Sequence, residues 1–513
     1  MFGILARGLA SSACQDGRVV AENRSVFTGV YRPITLSTLT LVALAAFDGM
    51  AVAAALPKIG SDLGVGRLPW VLTAFQFAST VAMLAAGSII DAIGVRRAYR
   101  LTLIVFFVAS LLCTIAPNLQ TLIAARVLQG IGGGSVMAVT LAIVGLSYPA
   151  ELRPRAYAAN STVWGLMALV GPAASAFLLT VVSWRGIFLL NLPLVAFAGI
   201  IGWNRLPATD GHRLEFDTRG LAIVAALVFA LLVSLSSLQW SSLIGVGIAV
   251  VLALIYWWWT GHTAQAVVAR RHFARWPFGP MNMIPFTFFA GSLAVDAFLP
   301  IYIRGGLGRS NAIAAFGVAF LAIGWTTGSN IVSRLLDRVT NVDAMVAGFI
   351  LTLPSLGLAA VLYTSHASLV LVYALSFLQG LGIGSVTNAT ISLLQRTADA
   401  AEMGRVSAAH QFMRQLGGTL GTALAGAVLF GAVVARLGSV EPVRRLLDGD
   451  HVELGGAGRA AIATGFRGAA ALAFALTLAG LFLALYVRRR FRQDAGSTAT
   501  QPSASDHQSA PTH

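Results

Sequence analysis

The sequence is poor in charge. Only 11% of its 513 residues are Asp, Glu, Lys or Arg, against 57% that are hydrophobic. A water-soluble chain carries about 25% charged residues. So little charge cannot cover a soluble surface of this size, and the solvent is read as lipid. Cysteine is scarce as well. Cys14 and Cys113 offer neither a disulfide framework nor a metal-ligand spacing, and neither a cofactor nor a metal site is expected. The segment Phe2–Ala10 is too short and too interrupted for the apolar core of a signal peptide. Lysine is nearly missing: Lys58 is the single one, the other basic residues are arginines, and the formal net charge is +15. That surplus does not describe a nucleic-acid groove. The arginines fall in small clusters between long apolar runs, the pattern of inner-side loops in a membrane protein.

What the chain has is apolar length. A helix needs about 20 apolar residues to cross the hydrocarbon of a bilayer. Six such runs come first: Leu36–Pro57, Trp70–Ile90, Tyr99–Ala116, Leu119–Leu146, Ala156–Val182 and Gly186–Trp203. After the polar linker Asn204–Arg219 come Gly220–Leu238 and Ser242–Trp259, then a basic linker with Arg270, Arg271 and Arg275. Phe278–Ile303, Ala312–Leu336, Ala344–Thr364, Ser368–Leu394, Val406–Ala435 and Gly468–Val487 complete fourteen runs. The expected division is an N-terminal tail 1–35, a six-helix bundle 36–203, a linker with two extra spans 204–277, a second six-helix bundle 278–490 and a disordered tail 491–513. An inner N-terminus places the larger share of the arginines inside, with Arg96, Arg97 and Arg100 in one short loop and Arg488–Arg490 and Arg492 after the last span. Both termini are therefore expected in the cytoplasm of a multi-pass inner-membrane protein. The run Tyr256-Trp257-Trp258-Trp259 is read as an aromatic belt at the inner interface.

The two bundles repeat each other. Arg126–Thr140 matches Ser376–Thr390 at eight of 15 positions with an offset of 250. The same offset pairs Arg155 with Arg405, Ala158-Ala159 with Ala408-Ala409, and Gly171 with Gly421. One register held through two spans indicates duplication of a six-span unit, an architecture that puts a binding site at the interface of the halves. Arg126 has Ser376 as its counterpart, so a packing need common to both halves does not explain the charge. Gly130, Gly132 and Gly134 lie in an apolar span with no strand before them, and are read as close helix packing rather than a phosphate cradle.

These features resemble the major facilitator superfamily and, within it, the fourteen-span drug:proton antiporters, over roughly residues 36–490. Gly87-Ser88-Ile89-Ile90-Asp91-Ala92-Ile93-Gly94-Val95-Arg96-Arg97 matches the superfamily's G-x-x-x-D-x-x-G-x-R-R loop motif. Leu122–Gly132, with Arg126, Gln129 and Gly130, is similar to the span 4 motif. Ser183–Pro193 resembles the fourteen-span signature entering span 6. Asp48 through Leu56-Pro57 resembles the span 1 motif, with Gly49-Met50-Ala51 in place of its small polar residues. Gly165 and Gly171-Pro172 match part of the span 5 antiporter motif, where Ser175-Ala176 replaces a Gly-Gly pair. Arg334, Asp337 and Arg338 are a remnant of the loop motif in the second half. The resemblance implies an all-α, polytopic, two-bundle fold with two extra central helices. It implies a monomer in the lipid bilayer that exports hydrophobic or cationic small molecules in exchange for protons, by alternating access. It further implies that Asp91 meets the start of span 11 near Met403–Val406 and latches the halves on the cytoplasmic side. Alternatives are an exporter of an endogenous lipid or metabolite, and a symporter. An enzyme is not expected: His212, His262, His272 and His366 are scattered, and form no His/Asp/Glu cluster at a membrane face.

Four charges lie deep inside runs: Asp48, Arg126, Asp296 and Arg414. Each costs at least ~2.5–3.5 kcal/mol at the centre of a spanning helix, so each is expected to face a polar cavity or a partner. A carboxylate in a low dielectric resists ionisation, and a neighbouring guanidinium opposes that effect. The reading assigns proton coupling to Asp48, tuned by Arg126, with Asp296 as a second site and both carboxylates near one cavity. The alternative is a fixed ion pair, Asp48 with Arg126 or Asp296 with Arg414. Gln129, Arg414, Gln415, Phe289 and Trp325 are the candidates for the substrate cavity.

Overall fold

A computed structural model describes residues 25–64, 68–209, 217–236, 241–263, 266, 270–336, 338–438 and 454–499. Cys14, His212, Asp337, most of the N-terminal tail and the tail beyond Ala499 lie outside the described residues. The first half contains α1 (Tyr31–Leu63), α2 (Trp70–Ile93), α3 (Val95–Thr114), α4 (Leu119–Ser147), α5 (Arg153–Val181) and α6 (Arg185–Gly202). The middle contains α7 (Thr218–Ser236), α8 (Ser241–His262) and the single turn α9 (Arg271–Ala274). The second half contains α10 (Phe278–Asp296), the short α11 (Leu299–Ile301), α12 (Asn311–Leu335), α13 (Asn341–Leu362), α14 (Leu369–Thr397), α15 (Met403–Leu437) and α16 (Gly456–Ala499). Among the described residues twelve helices are long and apolar enough to cross a membrane, and two apolar stretches, Thr218–Ser234 and Gly247–His262, are shorter. The helices turn apolar side chains outward: Ile200 is 84% exposed and Val370 76%. At about 25 cal/mol per Å² of apolar area, such faces belong against lipid.

Helix starts follow local chemistry. Asn118 caps α4 by accepting from the Thr121 amide at 2.9 Å, and Thr340 caps α13 by accepting from Asp343 at 3.2 Å. Gly94, at φ 84°, makes the tight turn between α2 and α3. The run expected at Phe278–Ile303 is broken. Pro300 has no amide hydrogen, and its ring opposes the carbonyl four residues back, at Asp296. Accordingly α10 ends at Asp296, and a wide turn at Tyr302–Gly306 follows α11. The last helix also departs from expectation. It begins at Gly456 and continues to Ala499, so residues 491–499 are helical rather than disordered. Contacts explain part of this: Arg492 reaches Asp343 Oδ1 at 3.2 Å, and Phe491 lies 5.1 Å from the Trp276 ring.

The halves have the same internal wiring. In the first, α1 packs on α4, α5 and α6, α2 on α4, and α3 on α4 and α6. In the second, α10 packs on α14, α15 and α16, α12 on α14, and α13 on α14 and α16. The repeated glycines explain the tightest crossings. A Cβ on Gly130 or Gly134 would strike the carbonyl oxygens of Phe75 or Ser79 on α2, and a Cβ on Gly380 or Gly384 would strike those of Leu321 or Trp325 on α12. The halves meet through α2 against α15 and α5 against α12. Helices α7 and α8 pair with each other, and α7 lies on α2, with Phe229 edge-on to Phe77 at 5.7 Å. Val224, Leu227 and Val228 share an apolar cluster with Leu84, Phe412 and Met413, so this pair covers the α2–α15 seam. Trp259 Nε1 donates to Asp217 at 3.1 Å, joining the end of α8 to the start of α7.

Candidate functional site

Helix α1 carries Asp48 into the interior of the first half. Arg126 Nη1 donates to Asp48 Oδ2 at 2.7 Å, and Gln129 Nε2 and Asn191 Nδ2 each donate to Oδ1 at 3.0 Å. All four side chains are 0% exposed. Arg126 also donates to Gln129 Oε1 at 2.7 Å and to the Val71 carbonyl at 3.1 Å, and lies 4.1 Å from the Phe75 ring centre. Ser110 accepts from Gln129 at 3.1 Å. The charge pair is thus fully desolvated but held by neutral donors and an aromatic face, which is what such a pair needs to offset its desolvation.

The second half contains part of the same arrangement. Gln379, the counterpart of Gln129, donates to Asp296 Oδ1 at 2.9 Å. Ser376 stands where Arg126 would be, and its hydroxyl donates to the Val372 carbonyl of its own helix at 2.9 Å. Asp296 Oδ2 is buried without a hydrogen-bond partner. Each half therefore pairs a carboxylate with a glutamine, and the first half alone adds a guanidinium.

Asp91, at the end of α2, joins the halves. It accepts from the Gly404 amide at 2.8 Å and the Arg405 amide at 3.0 Å, and Arg405 Nε lies 3.3 Å away. Free amides and the positive end of the α15 dipole make this helix start a good place for a carboxylate. A Cβ on Gly87 would meet Ala408 Cβ at 2.7 Å, so the glycine lets α2 and α15 touch. Beside Asp91, Arg96 Nε donates to the Leu206 carbonyl at 2.6 Å, and Arg97 is exposed. The same end is tied again through Gln395. Arg153 Nη1 donates to its carbonyl at 2.8 Å, its amide donates to the Leu141 carbonyl at 3.1 Å, and the Tyr157 hydroxyl donates to its Oε1. The halves are closed at the Asp91 end.

A cavity of about 520 Å³ lies between the halves, lined by Met50, Gln76, Trp164, Gly165, Phe289, Trp325, Arg414, Gln415 and neighbouring residues. Its size suits a small organic molecule. Arg414 stacks over Phe289 at 5.1 Å. Gly165 abuts α12, where Thr326 Oγ1 donates to the Ser161 carbonyl at 3.0 Å. Pro172 lies inside α5 next to Gly171, whose open face meets Met50. Ser175 donates to the Ala51 carbonyl at 2.9 Å, so the serine that departs from the family motif bonds the stretch of α1 that also departs from it.

Some expectations change here. Arg414, Gln415, Phe289 and Trp325 line the cavity, but Gln129 does not; it belongs to the Asp48 network. Neither Asp48 nor Asp296 lines the cavity. At 100° per residue, Asp48 points away from Met50, and it is Met50 that reaches the cavity. No ion pair joins Arg414 to Asp296 among the described residues. Asn191, Ser110, Gln379 and Trp164 were not singled out. Gln379 was visible through the 250-residue offset, and Asn191 lies within the span 6 signature.

The model of the Major Facilitator Superfamily matches residues 38–422. The multidrug transporter protein MdtP of Bacillus subtilis is 28% identical over 401 residues, covering 75% of this chain and 72% of that protein. A probable multidrug-efflux transporter of Mycobacterium tuberculosis is 30% identical over 409 residues, covering 76% and 85%. A riboflavin transporter of Clostridioides difficile is 26% identical over 388 residues, covering 74% and 84%. Among solved structures, the human organic anion transporter MFSD10 aligns with a TM-score of 0.58 at 15% identity, covering 87% of this chain and 98% of that one, and speaks for the fold alone. With a family match over most of its length, a duplicated helical fold and apolar outer faces, the chain is a multi-pass membrane transporter that belongs to the Major Facilitator Superfamily.

Proposed function

We propose that the chain is a fourteen-span, proton-coupled exporter of hydrophobic small molecules, working by alternating access with both termini in the cytoplasm. The observation that carries the proposal is the buried Asp48–Arg126 pair, placed inside one half with no counterpart guanidinium in the other. A lone packing role would not call for that asymmetry. In this reading Asp48 is charged while Arg126 holds it, and receives its proton when α1 and α4 shift during alternation. Asp296, with one glutamine donor and no cation in contact among the described residues, is a second proton site. The Asp91 end is cytoplasmic, so the arrangement described is closed toward the cell interior. The multidrug transporters among the relatives support export of varied substrates. The riboflavin transporter among them supports the second reading, export of one endogenous metabolite through the same frame. Sealed vesicles containing the purified protein test this. Addition of substrates drawn from dyes, quaternary amines and lipids is expected to move protons in the direction opposite to the substrate. Substrate movement that leaves vesicle pH unchanged, in the presence and absence of a pH gradient, would remove proton coupling from the account.

A further inference from the structure

The cavity has a charge sign. Among its described lining residues there is one cation, Arg414, and no Asp or Glu. Among the described residues no carboxylate pairs with Arg414, whose guanidinium stands over the Phe289 ring at 5.1 Å. Beneath it, a second chamber of about 70 Å³ shares Trp164, Trp325 and Arg414 with the first and is also free of acidic residues among those described. That chamber holds three buried polar atoms without partners: Thr140 Oγ1, Asn160 Oδ1 and His410 Nδ1. Their side chains are 2%, 8% and 2% exposed. His410 sits one turn before Arg414 on α15, so both present to the same space.

Buried polar atoms are normally satisfied; the Thr140 hydroxyl and an Nδ1–H tautomer of His410 can donate to a guest held there, while Asn160 Oδ1, an acceptor, calls for a donor of its own such as a water. A guanidinium that faces aromatic walls and lacks a counter-ion asks for one of negative charge. We propose that the substrate is an amphipathic anion: a carboxylate or sulfonate head held by Arg414 and reaching the Thr140 hydroxyl and His410, with an aromatic or aliphatic body between Trp164 and Trp325. The head fits the small chamber, which has room for a carboxylate or a few waters. The body fits the larger, mainly apolar space. A lipophilic cation would meet Arg414 with no carboxylate on the wall to offset the repulsion. This inference rests on the transporter reading and narrows its hydrophobic substrates to anionic ones, against the cations that the family resemblance implies.

Two probes with one fluorophore and opposite charge test it: pyrenebutyrate and a pyrenylbutyl trimethylammonium salt. Their binding is measured by fluorescence anisotropy on the full chain in phosphatidylcholine nanodiscs, with empty discs subtracted. The expected result is that the carboxylate binds about tenfold or more tighter. Arg414→Gln is expected to remove the difference, and Arg414→Lys to keep most of it, since lysine supplies the charge without the planar fork. Equal or tighter binding of the ammonium probe overturns the inference, as does an undiminished preference in a folded Arg414→Gln protein. Proton movement in vesicles separates this outcome from failure of the wider reading. Proton-coupled movement of the ammonium probe alone would sink the anion assignment and leave the exporter standing. Anion-selective binding without proton movement would do the reverse.

Discussion

Arg126 and Asp48 meet at 2.7 Å in a space from which water is excluded, both side chains being 0% exposed. Loss of one partner leaves a buried charge that no other described residue pairs with. Breaking a buried pair on one side typically costs about 3–5 kcal/mol. Arg126→Gln is therefore expected to lower the thermal stability of the protein in detergent more than the double variant Arg126→Gln with Asp48→Asn. The double-mutant cycle by thermal unfolding checks this. Additive losses would mean that the two charges do not depend on each other.

The Asp91 contact, proposed as a latch between the halves, predicts a change in opening rather than in folding. Asp91→Ala removes an acceptor from the Gly404 and Arg405 amides and a partner from the Arg405 side chain. Hydrogen bonds to a charged group are worth about 1.5–3 kcal/mol, so the open state should gain tenfold or more. A cysteine placed at Val406, 0% exposed on α15, reports this in a background with Cys14→Ala and Cys113→Ala. Maleimide labelling of Val406→Cys should be faster with Asp91→Ala than without. An unchanged rate would show that Gln395 and its partners keep this end shut alone.

The glycine pairs predict matched costs in the two halves. Gly134→Ala and Gly384→Ala each push a methyl group into a neighbouring backbone carbonyl, that of Ser79 or of Trp325. Overpacking of this kind costs about 1–3 kcal/mol. Gly431 has open space where its Cβ would be, so Gly431→Ala should be neutral or stabilising, since alanine suits a helix interior better by about 0.5–1 kcal/mol. Melting temperatures in one detergent give the comparison.

Gly165 predicts a transport defect through packing. It lies at the cavity wall against Thr326 on the facing half. Gly165→Leu is expected to fill the wall and separate α5 from α12, abolishing substrate binding while the separate halves keep their helices. Circular dichroism and probe binding, measured on the same sample, distinguish this from unfolding.

Much of this molecule can be read from residue types and spacing, and the reasons differ from place to place. Apolar length alone locates twelve of the fourteen runs as helices long enough to span, the middle pair being shorter among the described residues, because each span must satisfy its own backbone in lipid. The 250-residue offset carries over into matching helix contacts, since the glycines at Gly130 and Gly380 demand the same crossing in each half. The contact of Asp91 with Gly404 and Arg405 followed from resemblance and not from periodicity. What spacing could not supply was azimuth. Asp48 and Met50 are two residues apart, and only the packed bundle decides which of them faces the cavity. The break after Asp296 was written in Pro300, yet a hydropathy run passes over a single proline. The helix at 491–499 depends on contacts with Trp276 and Asp343 from other parts of the chain, which local composition does not contain.

The proton is the centre of the account, and Asp48→Asn in proteoliposomes tests it most directly. Asparagine keeps the size of the side chain, cannot carry a transferable charge, and puts a donor in place of one of the two oxygens that accept from Arg126, Gln129 and Asn191. With a pH gradient imposed, the unaltered protein should accumulate substrate on the proton-rich side. Asp48→Asn should lose that accumulation while still exchanging labelled for unlabelled substrate across the membrane. Accumulation by Asp48→Asn at the rate of the unaltered protein would contradict the account, and would leave the Asp48–Arg126 pair as a fastening between helices.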